Sequence, residues 1–336
     1  MNEYDGIAIA LAWPKYVGKQ TGSWYDLPMR WLGFNKNFHY QVGHAALVLV
    51  DKRTGNCKYF DCGRFHAPYQ FGRIRGESTD TDLAIRTVAD WNGTSIGNLK
   101  NILQEIQSNP SFQGQGPLYA AYCEVNTDFV LSSVKKTQNK GVIPFGPFVM
   151  NGTNCCRFVR AGVLAGNPAG VFKWPLQYLW YLRPMPITLY HFLSNKMVVE
   201  AKRTDYRQGK NVGPASLYNK KNVHGTLPAP TLPYHLPKES KWLGGEVVGS
   251  WFFLEKVGND YSIKRFSWDG HLECEGVFEL KNNDRFDLTK PYRLTYLSHC
   301  TMVTIEQNNS TYQFFKKLDH AQKHIQSDTA ETVLHT

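Results

Sequence analysis

The chain contains 336 residues, of which 42% are hydrophobic and 14% aromatic, and its formal net charge is +10 at pH 7. This length can supply two domains with their own hydrophobic cores, and the composition excludes an intrinsically disordered chain. The sequence has no run of about 18 apolar residues, and Asp5 interrupts the segment where a signal peptide needs an apolar core. We therefore expect a folded, soluble and cytoplasmic protein without a transmembrane segment.

Residues 1–195 are predicted to form an α+β domain. The predicted strands are Gly6–Ala12, Ala45–Val50, Cys57–Cys62 and Leu118–Val125, and the predicted helices are Ile96–Ser108, Asp128–Asn139 and Cys155–Leu164. The strand Ala45–Val50 is apolar on both faces, which is typical of a central strand. We therefore expect this strand to be buried inside the domain.

A basic segment, residues 196–241, follows the first predicted domain. It contains nine Lys or Arg residues against three Asp or Glu residues, together with several prolines. This composition is typical of a linker or a long exposed loop. The chain lacks a paired-cysteine zinc finger, a glycine-rich phosphate loop and an aromatic ribonucleoprotein motif, so nucleic acid is not the expected partner. A basic protein that binds nucleic acid or an anionic membrane stays as an alternative.

The next predicted unit, residues 242–320, consists of short strands with alternating polar and apolar residues. Turn sequences separate these strands at Gly258-Asn259-Asp260, Trp268-Asp269-Gly270 and Asn282-Asn283-Asp284. Consecutive strands joined by tight turns predict a β-meander or a small barrel. Residues 321–336 are predicted to be a polar tail.

A cysteine lies at the start of a predicted helix in the sequence Thr-Asn-Cys-Cys-Arg-Phe-Val, residues 153–159. Thr153 or Asn154 can cap this helix, which places Cys155 in its first turn. The free backbone N–H groups and the helix dipole at that end favour a thiolate, the reactive form of cysteine. Two alternatives stay open: Cys156 is the reactive thiol, or both cysteines are buried and inert.

The seven cysteines are unevenly spaced and predict neither a disulfide framework nor a metal site. Cys57 and Cys62 lie five residues apart in one predicted strand, so their side chains point to opposite faces, and the sequence has no Cys-x-x-Cys pair. An odd number of cysteines, two of them adjacent, fits a reducing compartment better than a disulfide framework. We therefore expect no metal and no cofactor.

The order of these motifs is similar to that of the circularly permuted papain-like fold, which includes the NlpC-type hydrolases and the lecithin:retinol acyltransferase relatives. Gly43-His44 opens one strand, Asp61 lies in the second, and the helix motif Asn-Cys-x-x-Phe-Val begins much later, at residue 154. The resemblance covers roughly residues 6–166. It implies a permuted papain-like domain in which the histidine precedes the cysteine. The whole architecture also resembles an uncharacterised bacterial family.

Carried over to this sequence, the resemblance implies that Cys155 is the nucleophile, His44 the general base and Asp61 the group that orients the imidazole. His39 is a weaker alternative base because it lies outside the apolar strand. The implied function is a cysteine hydrolase or acyltransferase that acts on an amide or (thio)ester bond of a peptide-like or acyl substrate through a covalent acyl-enzyme. A non-catalytic binding protein with the same fold is the alternative.

The pairing of two strands decides whether Asp61 reaches His44. Residues 51–56 contain Thr-Gly-Asn and are predicted to form a hairpin turn, which makes the flanking strands antiparallel neighbours. If the strands pair directly across this turn, Asp61 lies opposite Ala46 and shares a face with His44. A tighter turn would place Asp61 opposite Val48, too far for a direct hydrogen bond.

Four further residues are predicted to contact a substrate. Arg64 and Arg73 follow the second strand of the hairpin and are candidates for binding an anionic group. Gln41 and Trp13 are candidates for completing the oxyanion hole beside the backbone N–H of Cys155.

Overall fold

The computed structural model describes residues 4–36, 38–112, 114, 116–200, 224–281 and 286–317, which include two large β-sheets. The first part of the chain contains strands β1 (Gly6–Trp13), β2 (Gly18–Lys19), β3 (Asn35–Lys36), β4 (His39–Tyr40), β5 (His44–Asp51), β6 (Cys57–Gly63), β7 (Phe71–Gly76), β8 (Trp91–Asn92), β9 (Ser95–Ile96), β10 (Leu118–Val125), β11 (Val142–Pro144) and β12 (Ser194–Val199). Its helices are α1 (Asp26–Trp31), α2 (Leu99–Ser108), α3 (Thr127–Gln138), α4 (Cys155–Ala165), α5 (Gly170–Trp174) and α6 (Pro186–Phe192), with shorter helical turns at Thr81–Leu83, Pro110–Phe112, Pro175–Leu179 and Trp180–Leu182. The second part contains β13 (Lys241–Leu243), β14 (Ser250–Val257), β15 (Asp260–Phe266), β16 (Leu272–Leu280), β17 (Arg293–Thr295), β18 (Met302–Gln307) and β19 (Ser310–Lys316).

The first sheet has seven strands in the order β11-β7-β6-β5-β1-β10-β12, and every neighbouring pair is antiparallel. β5 lies in the middle, as its apolar sequence predicts. Ala45, Leu47 and Leu49 belong to the core under α3, α4 and α6, whereas the alternate residues of β5 belong to the core under α2. The sheet is therefore buried on both faces, so a polar side chain in its central strands needs a partner.

Helix α4 begins at Cys155 because the residue before it is an effective cap. The Asn154 side chain accepts a hydrogen bond of 2.9 Å from the backbone N–H of Arg157. The helix packs closely on β5, and Gly162 permits this approach because a Cβ there would lie 2.8 Å from Leu47 Cδ2. Cys155 thus occupies the N-terminal end of a helix that crosses the centre of the sheet.

Two boundaries differ from the sequence prediction by more than one residue. α2 begins at Leu99 rather than at Ile96, because β8 and β9 form a small hairpin immediately before it. The first sheet continues to β12, whose last residue, Val199, lies beyond the predicted boundary at residue 195. Residues 201–223 of the predicted linker and the predicted tail at 321–336 lie outside the described residues.

The second sheet has seven strands in the order β13-β14-β15-β16-β19-β18-β17. Its outer strands β13 and β17 lie close together, and the Tyr296 hydroxyl donates to the Gly244 carbonyl beside them, so the sheet is nearly closed into a barrel. Turns with positive φ at Gly258 and Gly270 join β14 to β15 and β15 to β16, as the sequence predicts. The third predicted turn, at 282–284, lies outside the described residues.

Buried ion pairs join the two sheets. Arg64, directly after β6, donates to the carboxylate of Glu246, which is fully buried in the second part of the chain. Asp80 accepts two hydrogen bonds of 2.7 Å from Arg73 and one of 3.1 Å from Arg265 in β15. Each of these carboxylates faces an opposite charge, which offsets the cost of removing it from water.

The described helices are short. The longest, α3, has 12 residues. Among the residues that the structure describes, no helix has the length and apolar character needed to cross a bilayer.

Candidate active site

His44 is the first residue of β5, and its imidazole is buried among aromatic rings. The Trp13 indole stacks on it with a centroid distance of 5.7 Å and an interplanar angle of 23°. The rings of Tyr16 and Phe65 lie at centroid distances of 5.4 and 6.0 Å. These contacts fix the plane of the imidazole, which a residue that transfers protons requires.

Asp61 lies beside His44 because of the strand register. Ala46 pairs with Asp61, which is the register predicted for a direct hairpin, so Asp61 and His44 share a face of the sheet. The Asp61 Oδ2 atom lies 3.6 Å from His44 Nε2. This distance is within ion-pair range but longer than a strong hydrogen bond.

Asp61 is fully buried and is held by two residues other than His44. Arg75, its partner on β7, donates from Nε at 2.9 Å and from a terminal nitrogen at 2.6 Å, and the Tyr59 hydroxyl donates at 3.0 Å. Burial alone would raise the pKa of Asp61, but Arg75 and His44 hold that pKa below its usual value. Asp61 is therefore a carboxylate with a fixed position.

Arg75 is the site residue that sequence analysis missed. Its guanidinium lies over the Phe65 ring at 4.2 Å, and Phe65 in turn contacts the imidazole of His44. The signal in the sequence was the alternation in Gly72-Arg73-Ile74-Arg75, where two arginines on one face of a strand indicate buried partners. The sequence does not show that β6 and β7 pair with each other. It therefore could not identify Asp61 as the partner of Arg75.

Cys155 contributes a thiol that is only 9% exposed at the N-terminal end of α4. Hydrogen bonding from Cys156, whose sulfur lies 3.9 Å away, lowers the pKa of Cys155. Burial opposes this effect, but the His44 ring and the backbone N–H of Ala45 also hydrogen-bond the sulfur, and the pKa falls well below its usual value. The thiolate is therefore the favoured form of Cys155.

The His44 imidazole favours the positive charge that complements the Cys155 thiolate. Burial lowers the pKa of an imidazole, but the adjacent Asp61 carboxylate and Cys155 sulfur outweigh burial and raise the pKa of His44 to about 9. Near neutral pH the pair is accordingly a thiolate and an imidazolium. This ion pair is the resting state from which a cysteine nucleophile reacts.

Cys156 is the less suitable of the two adjacent cysteines. It is 4% exposed, compared with 9% for Cys155, and both cysteines belong to the same apolar core. The neighbouring Cys155 sulfur and burial raise the pKa of Cys156 well above its usual value, which keeps its thiol neutral. The geometry therefore favours Cys155.

The structure does not support the predicted anion-binding roles of Arg64 and Arg73. Arg64 is 7% exposed and donates to Glu246 and to the carbonyls of Lys19 and Gln20. Arg73 is 1% exposed and makes a bidentate pair with the buried Asp80. Both guanidinium groups are buried and paired with groups inside the protein, so a substrate cannot bind to them.

The two predicted oxyanion-hole residues have different positions. The Trp13 indole N–H donates to Gln107 Oε1 at 2.9 Å, so its donor is already used, and Trp13 acts on the site through its stacking on His44. Gln41 is exposed on the segment before β5. The backbone N–H of Cys155 at the helix N-terminus stays the donor predicted for an oxyanion.

Asp80, Asp82 and Cys300 place three potential metal-ligand atoms within 4.8 Å of one another. Arg73 and Arg265 both form ion pairs with Asp80, and Arg265 also approaches Asp82 at 3.9 Å. These positive charges would repel a cation. The cluster is therefore an ion-pair network rather than a metal site.

Comparisons with known proteins find a family model that matches the region containing His44, Asp61 and Cys155. Residues 8–170 match the family of Type VI secretion system effectors that are TseH-like. The TseH-like region ends shortly after α4, and residues 240–317 match a second model, the DUF6695 C-terminal domain.

A similarity to one solved structure covers the TseH-like region and part of the rest. The crystal structure of the Type VI secretion system effector TseH aligns with a TM-score of 0.37 and 14% identity, over 59% of this chain and 93% of that chain. No curated protein matches the chain.

Proposed function

We propose that this protein is a cysteine hydrolase or acyltransferase with Cys155 as nucleophile, His44 as general base and Asp61 as the group that orients the imidazole. One observation carries the proposal: the buried His44 ring contacts both the Cys155 thiol and the Asp61 carboxylate. A histidine between a thiol and a carboxylate is the arrangement that nucleophilic catalysis by cysteine requires.

The proposed reaction has two steps. The Cys155 sulfur bonds to the carbonyl carbon of an amide or (thio)ester, and the carbonyl electron pair moves to the oxygen, which accepts a hydrogen bond from the backbone N–H of Cys155. As the intermediate collapses, the His44 imidazolium donates its proton to the leaving group. Water, or the hydroxyl or amine of an acceptor, then attacks the acyl-enzyme while His44 accepts its proton, and the Cys155 thiolate is released.

The family match supports a role as an effector, with the TseH-like region as its hydrolase domain. The chain order, with His44 on a strand before the Cys155 helix, supports the permuted papain-like fold inferred from the resemblance. On this proposal the substrate is a peptide-like or acyl compound. The cytoplasmic location expected from the sequence stays a prediction, because the matching family is named for secreted effectors.

Brief alkylation of the folded full-length protein with iodoacetamide near neutral pH, followed by peptide mapping, tests the proposal. We expect Cys155 to be modified first, and Cys155→Ser to abolish both this labelling and the turnover of peptide and acyl-ester libraries. Cys156→Ala is the matched control and should retain both, because its thiol is neutral and packs in the core. Faster labelling of Cys156 or Cys57, or an active Cys155→Ser variant, would contradict the assignment.

The low exposure of Cys155, 9%, is the observation that favours the alternative of a non-catalytic binding protein. A thiol that a substrate cannot approach has no catalytic use, whatever its pKa. The alkylation rate separates the two functions. A Cys155 thiol in a working site reacts faster than the free amino acid at the same pH, whereas an occluded thiol reacts more slowly.

A further inference from the structure

Large apolar side chains are exposed around α1, where a globular surface normally carries few of them together. Trp24 is 76% exposed and Trp31 77% exposed, and Leu32 and Phe34 directly after the helix are each 66% exposed. Leu27 lies between the two tryptophans and is also exposed. Such a concentration of exposed apolar residues indicates a surface that contacts something other than water.

These residues form one continuous surface with a second loop. Leu27 and Trp31 lie four residues apart in α1 and share one face of the helix, and Trp24 lies in the turn that leads into it. The Trp24 ring lies 6.4 Å from the ring of Phe148, and Met150, two residues further on, is 86% exposed. We name Trp24, Leu27, Trp31, Leu32, Phe34, Phe148 and Met150 the aromatic surface.

The exposed charges beside the aromatic surface are positive. Arg30 and Lys36 lie within the same segment and are exposed. Asp26 is the only acidic residue between 14 and 42. It is 5% exposed, and its carboxylate accepts hydrogen bonds from the Tyr40 hydroxyl at 2.6 Å and from the Ser23 backbone N–H at 2.8 Å. The surface therefore presents tryptophan, leucine and phenylalanine side chains among cations.

We propose that the aromatic surface docks on an anionic lipid bilayer. Tryptophan and phenylalanine side chains enter the boundary between head groups and acyl chains, while arginine and lysine pair with lipid phosphates. The positive charge complements an anionic bilayer, and the short α1 can lie in the interface without spanning it. The whole chain, at +10, is attracted to the same membrane over a longer distance.

Docking by this surface would orient the candidate active site. Phe148 and Met150 lie in a loop closed by a hydrogen bond of 3.0 Å from the Gly146 N–H to the Thr153 carbonyl. Cys155 begins α4 two residues after this closure. The N-terminal end of α4 would therefore lie near the head groups, whether or not the thiol is catalytic.

Vesicle flotation of the full-length protein tests the proposal. We expect binding to phosphatidylcholine vesicles that contain phosphatidylglycerol, and binding that weakens as salt is raised. Trp31→Ser should lower the partition coefficient about ten-fold, because burial of a large aromatic side chain is lost. Trp31→Phe should keep most of the binding. Tyr234→Ser is the matched control, since Tyr234 is 99% exposed and lies outside the aromatic surface.

Three results would overturn the proposal. The first is the absence of binding to the vesicles that contain phosphatidylglycerol. The second is equal binding of Trp31→Ser and the unchanged protein, which would assign the affinity to other basic segments. The third is a dimer in solution, detected by light scattering, that Trp31→Ser dissociates, because the surface would then cover a second copy. The Cys155 alkylation rate, measured in parallel, reports whether each variant has kept its fold. Because vesicles take no part in this measurement, the test of docking stays independent of the test of catalysis.

Discussion

Asp61 and Asp80 are both buried carboxylates that arginine holds, but only Asp61 belongs to the candidate site. Asp80 accepts hydrogen bonds from Arg73, Arg265 and the Thr79 hydroxyl. Asp61 accepts a bidentate pair from Arg75 and faces the His44 ring. Burial would raise the pKa of both carboxylates, but the neighbouring positive charges hold each pKa below its usual value.

The difference between the two carboxylates lies in what their partners can do. The guanidinium groups around Asp80 stay charged at any pH at which the protein is folded, so they cannot transfer a proton. The imidazole beside Asp61 gains and loses a proton, and it also contacts the Cys155 thiol. A perturbed pKa alone therefore does not identify an active site. The Asp61 network is distinguished by an imidazole whose pKa both a carboxylate and a thiol raise, whereas Cys300 lies near Asp80 but burial lowers the pKa of the neighbouring His299.

The largest expected effect is on turnover when Asp61 is changed. Asp61→Asn should lower kcat/KM by about 10⁴-fold, because the amide cannot stabilise the imidazolium. It should also lower the melting temperature, because the Arg75 guanidinium loses its buried partner. Steady-state kinetics well below the melting temperature separate the two effects. A folded Asp61→Asn variant with full activity and full Cys155 reactivity would remove Asp61 from the site.

The pH dependences of turnover and of alkylation report on two different groups, the His44 imidazole and the Cys155 thiol. Because the pKa of His44 is raised to about 9, its imidazolium persists above the usual value of 6.5 and is lost as the pH rises through about 9. Turnover, which needs this proton for the leaving group, should fall above pH 9, whereas alkylation of the Cys155 thiolate should not. The turnover rate and the rate of alkylation by iodoacetamide, both measured as functions of pH on one preparation, test this expectation. If both profiles rise together with a midpoint near 9, Cys155 has an ordinary thiol.

Substitution of the other carboxylate should affect stability and not chemistry. Asp80→Asn should lower the free energy of unfolding by about 3–5 kcal/mol, because Arg73 stays buried without a full counter-charge, although Arg265 keeps its pair with Glu273. The folded pKa of Asp80 lies well below 3.8, so the intact carboxylate stabilises the fold above that pH and less as the pH falls. Chemical denaturation at several pH values measures this loss.

The exposed pair between Arg293 and Glu306 supplies the control for Asp80→Asn. Glu306→Gln should leave the denaturation midpoint almost unchanged, because water and salt screen this pair. The Cys155 alkylation profile of Asp80→Asn should also match that of the unchanged protein while the variant is folded. A shifted profile would mean that the two networks are coupled.

Local sequence signals predicted the hairpin at the site. The apolar sequence of β5 and the turn at 51–56 are short-range features, and together they predicted an antiparallel hairpin with two possible registers, of which the structure has the one that pairs Asp61 with Ala46. The Asn154 cap placed Cys155 at the first residue of α4 for the same reason. The chemical role of these residues was inferred from resemblance and stays a proposal.

The roles of Arg64 and Arg73 could not be predicted from the sequence because their ion-pair partners lie far along the chain. Arg64 pairs with Glu246 and Arg73 shares Asp80 with Arg265, so both depend on how the second sheet packs against the first. A sequence pattern gives the direction of a side chain within a strand, but it gives no tertiary partner. An arginine after a predicted catalytic strand therefore resembles a substrate-binding residue until the fold is known.

The distance along the chain between the site residues has a consequence for synthesis of the protein. His44 and Asp61 come from adjacent strands, but Cys155 arrives on a helix about a hundred residues later. Contacts of such long separation form late in folding, because closing the intervening loop costs entropy. Until α4 docks on β5, Cys155 is an ordinary cysteine without His44. On the proposed assignment, a nascent or unfolded chain therefore carries no activated thiol, and the reactivity of Cys155 develops only once α4 has docked on β5.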